Sequence, residues 1–102
     1  MRAPGARRSR RHAEFEALVV ERVREIPLGS VSTYGDVDRT APRRVGFVLA
    51  TTREELPWHR VVRSNGSLAQ GDEQRRRLRR EGVPFRGDRV DLRRARYHVS
   101  EA

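Results

Sequence analysis

Cysteine and lysine are both missing from this sequence. Without cysteine there is no disulfide, no thiolate metal site and no thiol nucleophile. Without lysine, all 23 basic side chains are arginine, whose planar fork suits phosphate oxygens and stacks on bases. A GC-rich coding sequence produces the same bias with no functional cause. Long apolar runs are missing too, so nothing approaches a membrane span, and the first residues do not resemble a secretory signal. His12, His59 and His98 lack metal-ligand spacing. No glycine loop is arranged to cradle phosphate, no Ser-His-acid spacing is present, and no internal repeat is found. The expectation is a soluble, cytoplasmic protein with no metal, no cofactor and no catalytic residue.

What is present is charge. Charged residues make up 36% of the 102 residues against 35% apolar, and the formal net charge is +9. A chain this short forms one small domain with a modest core, and its charge points to nucleic acid or another polyanion. Residues 1–12 carry five of the arginines with Pro4 and Gly5, which predicts a disordered basic arm before a domain over residues 13–102.

Phe15, Leu18, Val19, Val23 and Ile26 recur at helical spacing, which predicts a helix from about Ala13 to Ile26, stopped by Pro27-Leu28-Gly29. Ser32 or Thr33 then caps a short second helix, Thr33 and Asp36 having capping-box spacing. Tyr34 falls in its first turn, either as a packed aromatic or as one that presses on a DNA backbone. Thr40-Ala41-Pro42 opens a third helix with Arg43 and Arg44 at its start and Val45, Val48 and Leu49 as the inward stripe. Two short helices joined by a tight turn are the pattern of a helix-turn-helix.

Pro57-Trp58-His59-Arg60-Val61-Val62 is the most informative stretch. Pro57 fixes its own φ and turns Leu56 away from helix, while the valine pair favours a strand. Trp58, the only tryptophan, is either a core plug or the wall of a site. Ser64-Asn65-Gly66 signals a turn, and Leu68 beyond it marks a partner strand for a small hairpin. Asp72 to Glu81 predicts an arginine-rich helix whose apolar contact is Leu78, with Gly82 as its stop. Asp91 caps a last turn carrying Leu92, with Tyr97 beyond it.

Pro57-Trp58-His59-Arg60-Val61 resembles the Pro-Cys-His-Arg-Val motif of the O6-alkylguanine-DNA alkyltransferases, with tryptophan in place of the acceptor cysteine. Ile26-Pro27-Leu28-Gly29 and Thr33-Tyr34-Gly35-Asp36-Val37 are similar to that family's Ile-Pro-x-Gly turn and Thr-Tyr-Gly-x-Val entry. Arg43-Arg44-Val45-Gly46 resembles its Arg-x-Val-Gly recognition helix, and Arg79-Arg80-Glu81-Gly82 its closing helix. The match runs in order over about residues 15 to 82. With the Val90-Asp91-Leu92-Arg93-Arg94 tail and the lost cysteine, the chain is identified as an alkyltransferase-like protein. Two places depart from the family: the linker between Val37 and Val45 and the span from Leu68 to Asp72 are both short.

The resemblance implies a mostly α fold with a small β hairpin, a winged-helix-like helix-turn-helix domain similar to the C-terminal domain of the alkyltransferases. It implies that Arg43 enters the base stack, that Tyr34 presses on a phosphate, and that Ser32, Thr33 and Arg44 also meet DNA. Trp58, with Pro57, Val61, Ser64, Asn65 and Gly66, would form a pocket for a flipped O6-alkylguanine. His59 and Glu81, which activate the thiol in the enzyme, would be structural here. The implied partners are double-stranded DNA carrying the lesion and nucleotide excision repair proteins, met by a monomer without alkyl transfer. A sequence-specific helix-turn-helix regulator is the alternative; an active transferase or hydrolase lacks its nucleophile.

Overall fold

In the computed structural model, which describes residues 6–100, five helices surround two short strand pairs. Helix α1 spans Ala6–Glu25, so it begins well before the expected Ala13. Alanine and arginine are strong helix formers and no proline or glycine lies between Gly5 and Pro27, so residues assigned to a disordered arm extend the helix instead. The first five residues of that arm lie outside the described residues. No described helix is long and apolar enough to cross a membrane.

Strand β1 (Ser32–Thr33) leads directly into α2 (Tyr34–Val37), and α3 covers Pro42–Thr51. The expected capping box is present: Thr33 Oγ1 accepts from Asp36 N–H at 3.0 Å, and the Asp36 carboxylate accepts from Thr33 N–H at 2.9 Å. Thr40, the residue the sequence offers as the cap of α3, does not cap it. Ala41 is its N-cap and Pro42 its first residue, while the Asp38 carboxylate gathers the Thr40 N–H, the Thr40 hydroxyl and the Ala41 N–H. One aspartate thus organises the short linker as a side-chain-closed turn.

A 3-10 turn over Trp58–Arg60 runs into β2 (Val61–Val62), which pairs in parallel with β1, Ser32 opposite Val61 and Thr33 opposite Val62. Leu68 is therefore not the strand partner expected after the Ser64 turn. That turn closes on itself, Arg63 N–H donating to Ser67 O at 3.0 Å, and then docks on a hairpin further along the chain. The hairpin pairs β3 (Phe85–Arg86) antiparallel with β4 (Arg89–Val90). Val90 N–H donates to Gly66 O at 2.9 Å, and Gly66 sits at φ +85° where any Cβ would lie 2.5 Å from the Val90 carbonyl oxygen. Only glycine fits that turn.

Helix α4 (Gly71–Arg80) ends at Gly82, which has φ +80°, and α5 (Leu92–Ala95) begins after Asp91. The core has two parts. Val19 and Val23 of α1, with Ile26 just past its end, pack with Val37, Val45, Val48 and Val61, while Val31, Val62, Leu78, Val83, Val90 and Ala95 form the second cluster. Adjacent residues on β2 point to opposite faces, so Val61 serves one cluster and Val62 the other. The Trp58-His59-Arg60 turn is thereby anchored to both halves of the domain.

Candidate nucleic-acid interface and base pocket

Helix α3 presents its N-terminal arginines differently. Arg43 is exposed and makes no hydrogen bond or ion pair among the described residues. Arg44 lies with its guanidinium carbon 4.1 Å from the centre of the Phe15 ring, a cation–π contact to α1. Phe47, one turn after Arg43 on the same face, is 59% exposed. Periodicity grouped Phe47 with its helix and missed that its ring stands in solvent; a large apolar residue outside the Val45-Val48-Leu49 stripe was the available signal.

Of the other residues expected to meet DNA, Ser32 and Thr33 are turned inward. They are buried, the Ser32 hydroxyl donating to Tyr97 O and the Thr33 hydroxyl serving the capping box. The parallel pairing with β2 draws β1 into the centre of the fold, so the expectation that these side chains contact DNA is corrected. Tyr34 is half-buried, and burial raises its phenol above the ordinary value, with the Arg63 charge opposing. The Tyr34 ring lies along α3, 3.7 Å from where a Cβ on Gly46 would sit.

Between α3 and the Trp58 turn lies a cavity of about 300 Å³, at the lower end of ordinary ligand sites. One wall is Tyr34, Gly46, Leu49 and Ala50; the other is Trp58, Val61, Gln70 and Gln74. Trp58 is partly exposed and belongs to neither core cluster, so it walls the cleft and does not plug the core. Pro57, Ser64, Asn65 and Gly66 are not among the lining residues. Gly66 is turned toward β4, and Ser64 and Asn65 border other surface grooves.

Behind Trp58 the polar groups are tied together. His59 Nε2 is 2.8 Å from Glu81 Oε2, and Arg60 donates to both Glu81 oxygens at 2.9 and 3.0 Å and to Ile26 O at 2.9 Å. Burial pushes the Glu81 carboxyl up, but hydrogen bonds from Arg60 and His59 outweigh it and hold the group at about 2. The two residues carried over as a structural pair are in contact, with Arg60 as an unforeseen third member. His59 Nδ1 is buried with no partner among the described residues.

Gln74 was missed altogether. It lies 1% exposed on the arginine-rich helix, donating to His59 O at 3.1 Å and Val61 O at 2.9 Å while accepting from Gln70 N–H at 3.0 Å. A polar residue four positions before Leu78 shares its inward face, which was the only hint in the sequence. Arg77 of the same helix stands 5.2 Å from the Trp58 ring centre. Among the described residues no cluster of three acidic, histidine or cysteine side chains could hold a metal ion.

A capped α2, a short turn and an α3 with exposed arginine at its start make a helix-turn-helix with a cleft behind the second helix. The chain belongs to the family described as 6-O-methylguanine DNA methyltransferase, DNA binding domain, whose model matches residues 14–83. It is 41% identical to alkyltransferase-like protein 1 of Schizosaccharomyces pombe over 69% of this chain and 77% of that one. In three dimensions it is similar to S. pombe Atl1 in complex with damaged DNA containing O6-carboxymethylguanine, with a TM-score of 0.71 and 31% identity. That likeness covers 83% of this chain and 95% of the other. The chain is 40% identical to the DNA base-flipping protein of Escherichia coli, over 93% of this chain and 83% of that protein. A bifunctional methyltransferase/endonuclease of Picrophilus torridus is 38% identical over 72% of this chain, which spans 28% of that longer protein.

Proposed function

We propose that this protein binds duplex DNA containing O6-alkylguanine, rotates the damaged nucleotide into the cleft beside Trp58, and leaves the alkyl group on the base. The observation that carries the proposal is the cleft itself: an aromatic wall, uncommitted to the core, stands directly behind a helix-turn-helix. Extruding a base from a duplex costs a few kcal/mol, least where pairing is already weakened, and an O6 substituent weakens the pair with cytosine. Stacking on an aromatic wall returns roughly 1–3 kcal/mol. In this reading Arg43, exposed and without a polar partner among the described residues, fills the vacated stack in the manner of side-chain wedges.

The chemistry supports binding over transfer. The family's acceptor position is occupied by Trp58, the sequence holds no thiol, and His59 and Glu81 are bonded to each other and to Arg60. A monomer held on the lesion in this way marks it for nucleotide excision repair. Binding to one duplex with and without a single O6-methylguanine is the test, the methyl group carrying a label. The expected result is tighter binding to the damaged duplex with all label remaining on DNA; equal affinities favour the sequence-specific regulator, and label on protein overturns the non-enzymatic reading.

A further inference from the structure

The lining of the cleft accounts for holding a flat ring, but stacking tolerates any base. Distinguishing one purine edge from another needs polar groups with unspent hydrogen-bonding capacity. Gln74 is buried and has no donor to spare, since both Nε2 hydrogens serve carbonyls, while its Oε1 already takes the Gln70 N–H. The Tyr34 hydroxyl, the Trp58 indole N–H and the Gln70 side-chain amide make no hydrogen bond among the described residues. Of these, only the amide presents a separate donor and acceptor side by side.

Gln70 is also well placed. It is the N-cap residue of α4, its backbone N–H is held at 3.0 Å by Gln74, and its side chain is exposed where it borders the cleft. Alkylation at O6 removes the N1 proton of guanine, which leaves N1 an acceptor next to the 2-amino donor. An amide complements that pair in two parallel hydrogen bonds.

We infer that Gln70 is a specificity-determining residue that reads the N1 and 2-amino edge of the flipped base, and that Gln74 is the positioning residue that holds it and the Trp58 wall in register. The inference rests on the base-flipping reading above. It is tested with wild type and Gln70→Leu, each bound to a duplex carrying O6-methylguanine and to the same duplex carrying the analogue without the 2-amino group.

On removal of the amino group, wild type is expected to lose about three- to tenfold more affinity than Gln70→Leu does, the range of one net hydrogen bond. Any change in the cost of opening the analogue's base pair is common to both proteins and cancels in the ratio. Gln70 is exposed, so its replacement leaves the core untouched, and a thermal melt of the variant checks that folding is unchanged. Equal losses in the two proteins overturn the role of Gln70 while leaving lesion preference intact. Absence of any wild-type preference for O6-methylguanine over guanine overturns the flipping reading itself.

Discussion

The two walls of the cleft are stabilised by different means. The α3 wall is a regular helix whose backbone satisfies itself, so Gly46, Leu49 and Ala50 can present small or apolar surface with no polar support. The Trp58 wall is a three-residue 3-10 turn, which cannot hold its own shape. It is held by Gln74, which binds the His59 carbonyl within the turn and the Val61 carbonyl just after it, and by the His59–Glu81–Arg60 bonds beneath. A recognition helix can therefore be rigid through local order alone, whereas an irregular wall needs a buried polar network to be equally fixed. Each wall should fail in its own way.

The largest effect is expected from removing Glu81. Glu81→Ala leaves Arg60 and His59 without their counter-charge and should cost about 2–3 kcal/mol of stability in denaturant unfolding, less than a fully buried pair. The group also has a pH signature. Its folded value of about 2 lies below the ordinary 4.5, so its contribution is complete above pH 4.5 and is lost as pH falls toward 2. Asp36 and Asp38 are lowered as well, so the wild type minus Glu81→Gln difference isolates this carboxyl. A difference that stays constant from pH 6 to pH 3 would show that the network does not couple to folding.

A smaller and more selective effect is expected from Trp58→Ala. Loss of a stacking wall worth roughly 1–3 kcal/mol should lower preference for the damaged duplex about tenfold or more. Affinity for undamaged duplex and the melting temperature should change little, since the ring is outside both core clusters. Parallel loss of both affinities and of stability would return Trp58 to a packing role.

On the α3 wall the sharper comparison is between neighbours. Arg43→Ala should reduce lesion affinity and the fluorescence of a 2-aminopurine placed beside the lesion. Arg44→Ala should remove the contact with Phe15, costing roughly 0.5–1 kcal/mol of stability. Its effect on DNA should be confined to the salt-dependent part of affinity. Identical outcomes for the two arginines, with the flipping signal unchanged, would remove Arg43 from its assigned place.

Much of the scaffold was legible because its signals are local. The Thr33–Asp36 box, Pro42 at the first position of α3 and Gly82 after α4 act within one helical turn, and each stands where spacing put it. The errors share one cause. Ser32 was carried over from the resemblance as a DNA contact, and Leu68 was read as a strand because it follows a turn; the parallel pairing of Ser32–Thr33 with Val61–Val62 buries the first and displaces the second. That pairing joins segments 29 positions apart, and no local pattern encodes it. Gln74 was invisible for the same reason, its three partners lying on two other segments and at its own helix start.

The sequence by itself determined what chemistry is available. It holds no thiol, its basic side chains are all arginine, and a tryptophan stands at the family's acceptor position. It could not say which arginines are spent. Arg60 is bound to Glu81, Arg96 to Asp36 and Arg44 to Phe15, while Arg43 faces solvent. These residues are chemically identical, so their difference is one of position. Only the packing of distant segments decides which guanidinium meets a carboxylate, a ring or open water.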